Sequence, residues 1–450
     1  MEVEMQISAG DTAWVLTSAA LVLLMTPGLA FFYGGMTRVK SVLNMMMMSV
    51  VTIGIVSILW VLFGYSLAFG NGTSSLIGTI DFSGLGSAVN KVVENGATYP
   101  IPLLSFVMFQ LMFAVITPAL ISGAIADRTK FLAWAVFVAL WVTVVYFPVA
   151  HWVFDFGGAD STGAGWLAKR GIEDFAGGTA VHINAGAAGL ALALVLGKRV
   201  GWPKSPMKPH SLPLVLLGAG LLWFGWFGFN AGSALGANGQ AALAFTNTMV
   251  ATAGAVMGWL IVDRLRDGHA TSLGAASGAV AGLVAITPGC AFVAPWAAVV
   301  IGVMAGGICA LAVSVKYRIG IDDSLDVVGV HLVGGLFGCL AIGFFGTSFT
   351  TGSGKDAFTW GAKGLFYGGG WHLLGIQALG AFSVLAYSFV VSGVLGWIID
   401  KTMGMRIERD AEIEGIDLDQ HLESAYDLTS TVGGVLGPRT ARVLQSQEPS

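Results

Sequence analysis

The chain of 450 residues is 55% hydrophobic and only 11% charged, with a formal net charge of -4. Soluble domains keep about a quarter of their residues charged, so this composition excludes a soluble protein of this length, and the charge balance gives no footing for nucleic acid. Three cysteines without CxxC spacing (Cys290, Cys309, Cys339) give no support to a disulfide framework or a zinc site and read as small buried side chains.

Apolar runs of about twenty residues, long enough to cross a hydrocarbon core of about 30 Å, recur along the chain. They predict spans over Ala13–Phe32, Val42–Phe69, Leu103–Ile125, Phe131–Val153, Gly177–Leu196, Leu212–Asn230, Ala241–Leu260, Leu273–Ile286, Trp296–Val315, Val330–Phe345 and Leu373–Ile399. The expected fold is therefore an all-α membrane protein with eleven transmembrane helices. The eighth and tenth spans are short and Gly-rich, a pattern of helices inside a bundle. No Gly-rich phosphate loop follows a strand pattern, so transport would follow a gradient rather than an ATP motor.

Basic residues set the orientation. Alternate loops hold Arg38, Lys40, Arg128, Lys130, Lys198, Arg199, Lys204, Lys208, Arg264, Arg266, Lys316 and Arg318, whereas the opposite loops hold Lys91, Lys169, Arg170, Lys355 and Lys363. The richer side is expected to be cytoplasmic, which puts the N-terminus outside and the C-terminus inside. The first residues, acidic and polar, do not look like a cleaved leader. Residues 1–400 form the membrane domain. Residues 401–450 form a cytoplasmic tail, acidic at first and then rich in Thr, Ser, Gly and Gln, with its end expected to be disordered.

Spans five and ten each carry a histidine preceded by glycines and an aspartate: Asp174, Gly177, Gly178 and His182, then Asp326, Gly329 and His331. Five spans apart, they would run in opposite directions, as in an inverted 5+5 repeat with one added helix. His182 and His331 are the only ionisable groups expected at depth, where such groups need a partner, water or a function. Imidazole both donates and accepts, and an apolar setting favours its neutral form. Two such rings suit a conduit for something small; they also suit two separate core histidines bonded to carbonyls. No carboxylate or thiolate is spaced to complete a metal site, and no cofactor is implied.

Asp174 is placed to cap span five, a role compatible with the sharper alternative of binding a cation. Phe109 and Phe113 share a helix face, and Trp223, Trp226, Phe227 and Phe229 crowd span six. Most are packing or interface residues, and a subset could form a cation–π cup with the Ser233 hydroxyl beside it. The run Met45–Met48 reads as soft packing, since consecutive methionines face different sides of a helix.

The stretches Asp174-Phe-Ala-Gly-Gly-Thr-Ala-Val-His182-Ile-Asn-Ala-Gly, Trp226-Phe-Gly-Phe-Asn-Ala-Gly-Ser233, Asp326-Val-Val-Gly-Val-His331 and Pro27-Gly-Leu-Ala-Phe-Phe-Tyr-Gly-Gly35 resemble the ammonium transporter family (Amt/Mep/Rh), on its Amt side, from about Asp11 to Tyr426. The resemblance implies a homotrimer with one pore per subunit in a cell (inner) membrane, His182 and His331 as twin pore histidines, and Phe113 and Phe229 as a phenyl gate. It places Ser233 in the outer vestibule, Trp226 beside the pore and Asp174 as the aspartate that organises the vestibule. Where the family usually has a Trp closing Ala-His-Trp-Val-Trp, this chain has Phe154, a weaker cation–π partner that bears on affinity and selectivity. The tail stretch Gly415–Tyr426, with Asp417, His421, Glu423 and Tyr426, resembles the segment through which the family contacts neighbouring subunits and answers PII-type signalling proteins. The family's Gly after the histidine is Leu422 here.

The expected activity is passage of ammonium or ammonia. The cation is recognised by aromatic faces, deprotonated near the gate, and moved as ammonia along the histidines, with the proton following a separate route. An ammonium sensor and an electroneutral gas channel of the Rh type are the alternatives. A membrane-embedded enzyme lacks a constellation of reactive groups at depth.

Overall fold

The computed structural model describes residues 6–158, 163–205, 207–352 and 358–426. Ten helices in it are long and apolar enough to cross a membrane: α1 (Ala9–Met36), α2 (Val42–Phe69), α3 (Leu103–Ile125), α4 (Phe131–Phe154), α5 (Gly178–Leu196), α6 (Leu212–Gly232), α7 (Gly239–Asp267), α9 (Pro295–Ile319), α10 (Val328–Phe345) and α11 (His372–Met403). The shorter α8 (Ser272–Ile286) is buried from Ala276 onward, so neighbouring helices rather than lipid surround it. Four helices, α1, α7, α9 and α11, outrun their apolar runs by five to nine residues, because polar end turns continue the backbone ladder beyond the hydrocarbon. The chain is a multi-pass membrane protein.

Helix pairs approach closely where side chains are small, the usual device when no hydrophobic force drives helices together in lipid. A Cβ on Gly218 of α6 would lie 2.3 Å from the Phe32 nitrogen of α1. A Cβ on Gly302 of α9 would lie 2.0 Å from the Ala251 carbonyl oxygen of α7.

Two short hairpins lie between spans and were not expected from the sequence. Strands β1 (Val92–Glu94) and β2 (Thr98–Pro102) pair antiparallel before α3, and β3 (Phe349–Thr351) pairs with β4 (Phe358–Trp360) before α11.

Beyond α11 the tail forms two short helices, α12 (Arg409–Glu414) and α13 (Ile416–His421), against the basic loops. The expectation of disorder at the end of the tail falls on residues 427–450, outside the described residues. Glu412 binds Arg406 at 2.8 Å and accepts from the Val200 N–H at 2.5 Å. Asp417 accepts from the N–H groups of Leu43 at 3.0 Å and Asn44 at 2.8 Å, while Ser41, at the cap position of α2, makes no capping bond. Gln420 does the same for α4, accepting from the Phe131 N–H at 2.9 Å. The tail thus satisfies two helix N-termini whose own flanking residues leave them open. His421 lies 3.0 Å from the Asn44 side-chain oxygen and sets its ring edge-on to Phe131, and Tyr426 meets His210 at 2.9 Å. The Glu423 N–H faces the Asp417 carbonyl at 3.5 Å.

Candidate functional site

Both histidine-bearing helices open in a wide turn of π-helix, Gly178–Ile183 in α5 and Val328–Leu332 in α10. Such turns bulge one residue out of the α-helical ladder and recur at functional sites. Here they turn His182 and His331 towards each other. The rings are nearly parallel, with centroids 5.4 Å apart and Nδ1 atoms separated by 3.3 Å. Both are buried, and His182 Nε2 has no partner among the described residues.

An aspartate organises each opening. Asp174 accepts four backbone bonds, from Gly177, Gly178, Thr179 and Ala180, at 2.6 to 3.1 Å. Burial pushes its carboxyl up from the ordinary range, and those four N–H groups pull it back. In α10 the matching role belongs to Asp323, not to Asp326 as the sequence pairing had it: Asp323 accepts from Val327 at 3.1 Å and Val328 at 2.8 Å. Asp326 instead takes a left-handed backbone (φ 64°) and binds Lys316 at 2.6 Å. The spacing held the signal, since Asp323 precedes His331 by the eight positions that separate Asp174 from His182.

Aromatic rings stack above the pair. Phe113 and Phe229 lie face to face at 4.2 Å with 22° between planes. Trp226 stacks on His182 at 5.3 Å and is fixed by a bond from its Nε1 to Thr287 at 2.8 Å. Phe109 meets Phe113 edge-on at 4.9 Å and is fully buried.

On the far side of the phenyl stack is a cavity of about 200 Å³ lined by Phe113, Phe154, Phe156, Asp174, Phe175 and Ser233, among others. Phe154 does stand at its wall, its ring 6.4 Å from Phe113 and its carbonyl held by Asn95 at 2.9 Å. The Ser233 hydroxyl donates to the Phe229 carbonyl at 2.9 Å, which leaves its oxygen lone pairs for a donor in the cavity. Phe156 and Phe175 were not singled out from sequence; nothing but the fold brings their loops to this mouth. At the other end, His331 borders a recess of about 10 Å³ with Phe32, Tyr33 and Val280, room for about one water. That recess shares Met36, Leu325 and Asp326 with a wider mouth of about 210 Å³.

The four quoted stretches therefore converge on one line through the bundle: an aromatic cavity, a closed phenyl stack, two apposed imidazoles and a narrow recess. No group of three or more His, Cys, Asp or Glu among the described residues could hold a metal ion.

Comparison with known proteins agrees over nearly the whole chain. The model of the Ammonium Transporter Family matches residues 13–426. An ammonium transporter of Mycobacterium tuberculosis (strain H37Rv) is 56% identical over 444 residues, covering 96% of this chain and 93% of that protein. The crystal structure of Saccharomyces cerevisiae Mep2 superposes with a TM-score of 0.81 at 33% identity, covering 96% of this chain and 94% of that one. A protein described as a sensor Amt protein superposes with a TM-score of 0.82 at 29% identity, covering 91% of this chain and 98% of that one. With its histidine pair and phenyl stack on an apolar helical bundle, this chain belongs to the ammonium transporter family, a family of transporters rather than enzymes.

Proposed function

We propose that the protein carries ammonium across a cell (inner) membrane by capturing the cation in the aromatic cavity, removing its proton and passing ammonia along His182 and His331. The observation that carries this reading is the buried imidazole pair directly behind a closed phenyl stack. A bare ion in so narrow and buried a passage would cost many kcal/mol, whereas neutral ammonia can exchange hydrogen bonds with two neutral rings.

In this reading the cavity faces outward and the basic loops and tail face the cytoplasm. Phe154 and Phe113 offer ring faces to the cation, Ser233 accepts one of its N–H bonds, and Asp174 holds the loop that shapes the mouth. Phe109 braces Phe113, and Trp226 holds the His182 ring plane. The proton follows a separate route involving the same pair. Spans one to five and six to ten form the inverted repeat, residues 1–400 the transport unit and 401–450 the regulatory tail. The protein works as a homotrimer, and a PII-type protein docks on the tail face through Asp417, His421, Glu423 and Tyr426.

The test is current from proteoliposomes on a solid-supported membrane after an ammonium jump, with potassium and methylammonium as comparisons. A saturable, ammonium-selective current is expected. Ammonia flux without current, read by an internal pH dye, would replace this reading with a neutral channel; folded protein silent in both would leave the sensor.

A further inference from the structure

Ammonium carries its N–H bonds at the corners of a tetrahedron, and each one that leaves water without a partner is costly. In the ammonium reading, the rings of Phe113 and Phe154 face two of these bonds and the Ser233 hydroxyl accepts a third, which leaves one over. The other polar side chains on the cavity wall differ in what they have left to offer. Asn95 spends its amide on the Phe154 carbonyl at 2.9 Å and its oxygen on the Phe156 N–H at 2.6 Å. Asp174 spends both oxygens on four backbone N–H groups. Gln110 lines the same cavity and is half-buried, and its carboxamide makes no hydrogen bond among the described residues.

The helices that hold the phenyl stack also fix the level of Gln110. Phe106, Gln110 and Phe113 follow one another on one face of α3 at spacings of four and three, and all of them line the cavity. Gln110 thus stands about one turn from the Phe113 ring. Ser233 follows Phe229 by four and stands about one turn from the other ring of the stack. The two levels coincide: a Cβ on Gly232 would lie 2.8 Å from the Phe109 ring, so the residues just before Ser233 and Gln110 meet between α6 and α3. Tyr99 and Gln240 line the cavity too, but they come from β2, ahead of α3, and from the first turn of α7, past the end of α6.

Resting on the ammonium reading of that cavity, we propose that Gln110 is a substrate-binding and specificity-determining residue, whose carboxamide oxygen accepts the N–H of ammonium that Ser233 and the two rings leave over. The amide turns about its last bond, so it can aim its oxygen at a cation. Two oxygens on facing helices and two ring faces then match a cation with an N–H at every corner. Methylammonium has one N–H fewer and leaves one of these partners unused. The oxygen acceptors matter more here because Phe154 is a weaker ring partner than tryptophan.

The experiment is half-saturation of the current in proteoliposomes after jumps of ammonium and, separately, of methylammonium. Gln110→Met keeps the length of the side chain and removes the acceptor. It is expected to raise half-saturation for ammonium at least about tenfold and for methylammonium no more than about threefold, with maximal ammonium current within about twofold. Gln110→Glu keeps an acceptor at the same reach and should hold half-saturation for ammonium at or below the unaltered value. Gln110→Ala replaces the Met variant if that one does not fold. Unchanged half-saturation for ammonium without the acceptor, an equal rise for both cations, or a Glu variant that rises with the Met variant overturns the proposal. An unaltered protein that moves no ammonium would remove the transport reading, and this proposal with it.

Discussion

The Nδ1 atoms of His182 and His331 face each other at 3.3 Å, so one must donate and the other accept. The rings are thereby set in opposite tautomers, and whichever carries its proton on Nδ1 leaves its Nε2 free to accept. Replacing either ring by leucine removes one half of this exchange and fills the passage with a branched apolar group. Each of His182→Leu and His331→Leu is expected to lower ammonium current at least about tenfold, the equivalent of about 1.4 kcal/mol. Undiminished current with unchanged selectivity in either variant would end the twin-histidine mechanism.

In the proposed route the Phe113–Phe229 stack, with its ring faces in contact at 4.2 Å, is the point of closure. Phe113→Ala removes one of them and leaves a void against the cavity. The preference for ammonium over potassium is expected to fall at least about tenfold, measured as the ratio of currents after matched jumps. A ratio equal to that of the unaltered protein would mean that selectivity is set elsewhere.

At the cavity wall, Phe154→Trp enlarges the π face available to a cation. A gain of about 0.5–1 kcal/mol in cation–π attraction corresponds to about a threefold lower half-saturation. Maximal current should not rise, because the change acts on the bound cation and not on the passage beyond.

In the tail, Leu422 ends α13 in the left-handed region at φ 56°, where a side chain is disfavoured and glycine is at home. Leu422→Gly should stabilise tail docking by about 1 kcal/mol. Asp417→Ala should weaken it by about 1 kcal/mol. Hydrogen exchange at the Leu43 and Asn44 amides reads both: slower than in the unaltered protein in the first variant, faster in the second.

The membrane class and the helix order were legible because apolar run length answers directly to bilayer thickness. Even the short α8 is visible as a run bounded by Thr271 and Thr287. His182 and His331 were legible because a polar ring in an apolar run needs a reason. The hairpins were hidden, since β1–β2 and β3–β4 have only three to five residues a strand and no sustained alternation. The π turns were hidden too, because a helix that widens by one residue keeps its composition. Asp323 was overlooked because Asp326 lies closer to Gly329.

The capping of α2 and α4 by Asp417 and Gln420 has a consequence for biogenesis. Leu43 and Phe131 leave the ribosome hundreds of residues before the acceptors of their amides exist. Both helices can enter the bilayer as they are made, but their ends on the tail side stay incomplete until Asp417 and Gln420 have been made and fold back onto them. Completion of that face thus waits on synthesis past Gln420, and a chain cut short before Asp417 would reach the membrane with two open helix ends for quality control to recognise.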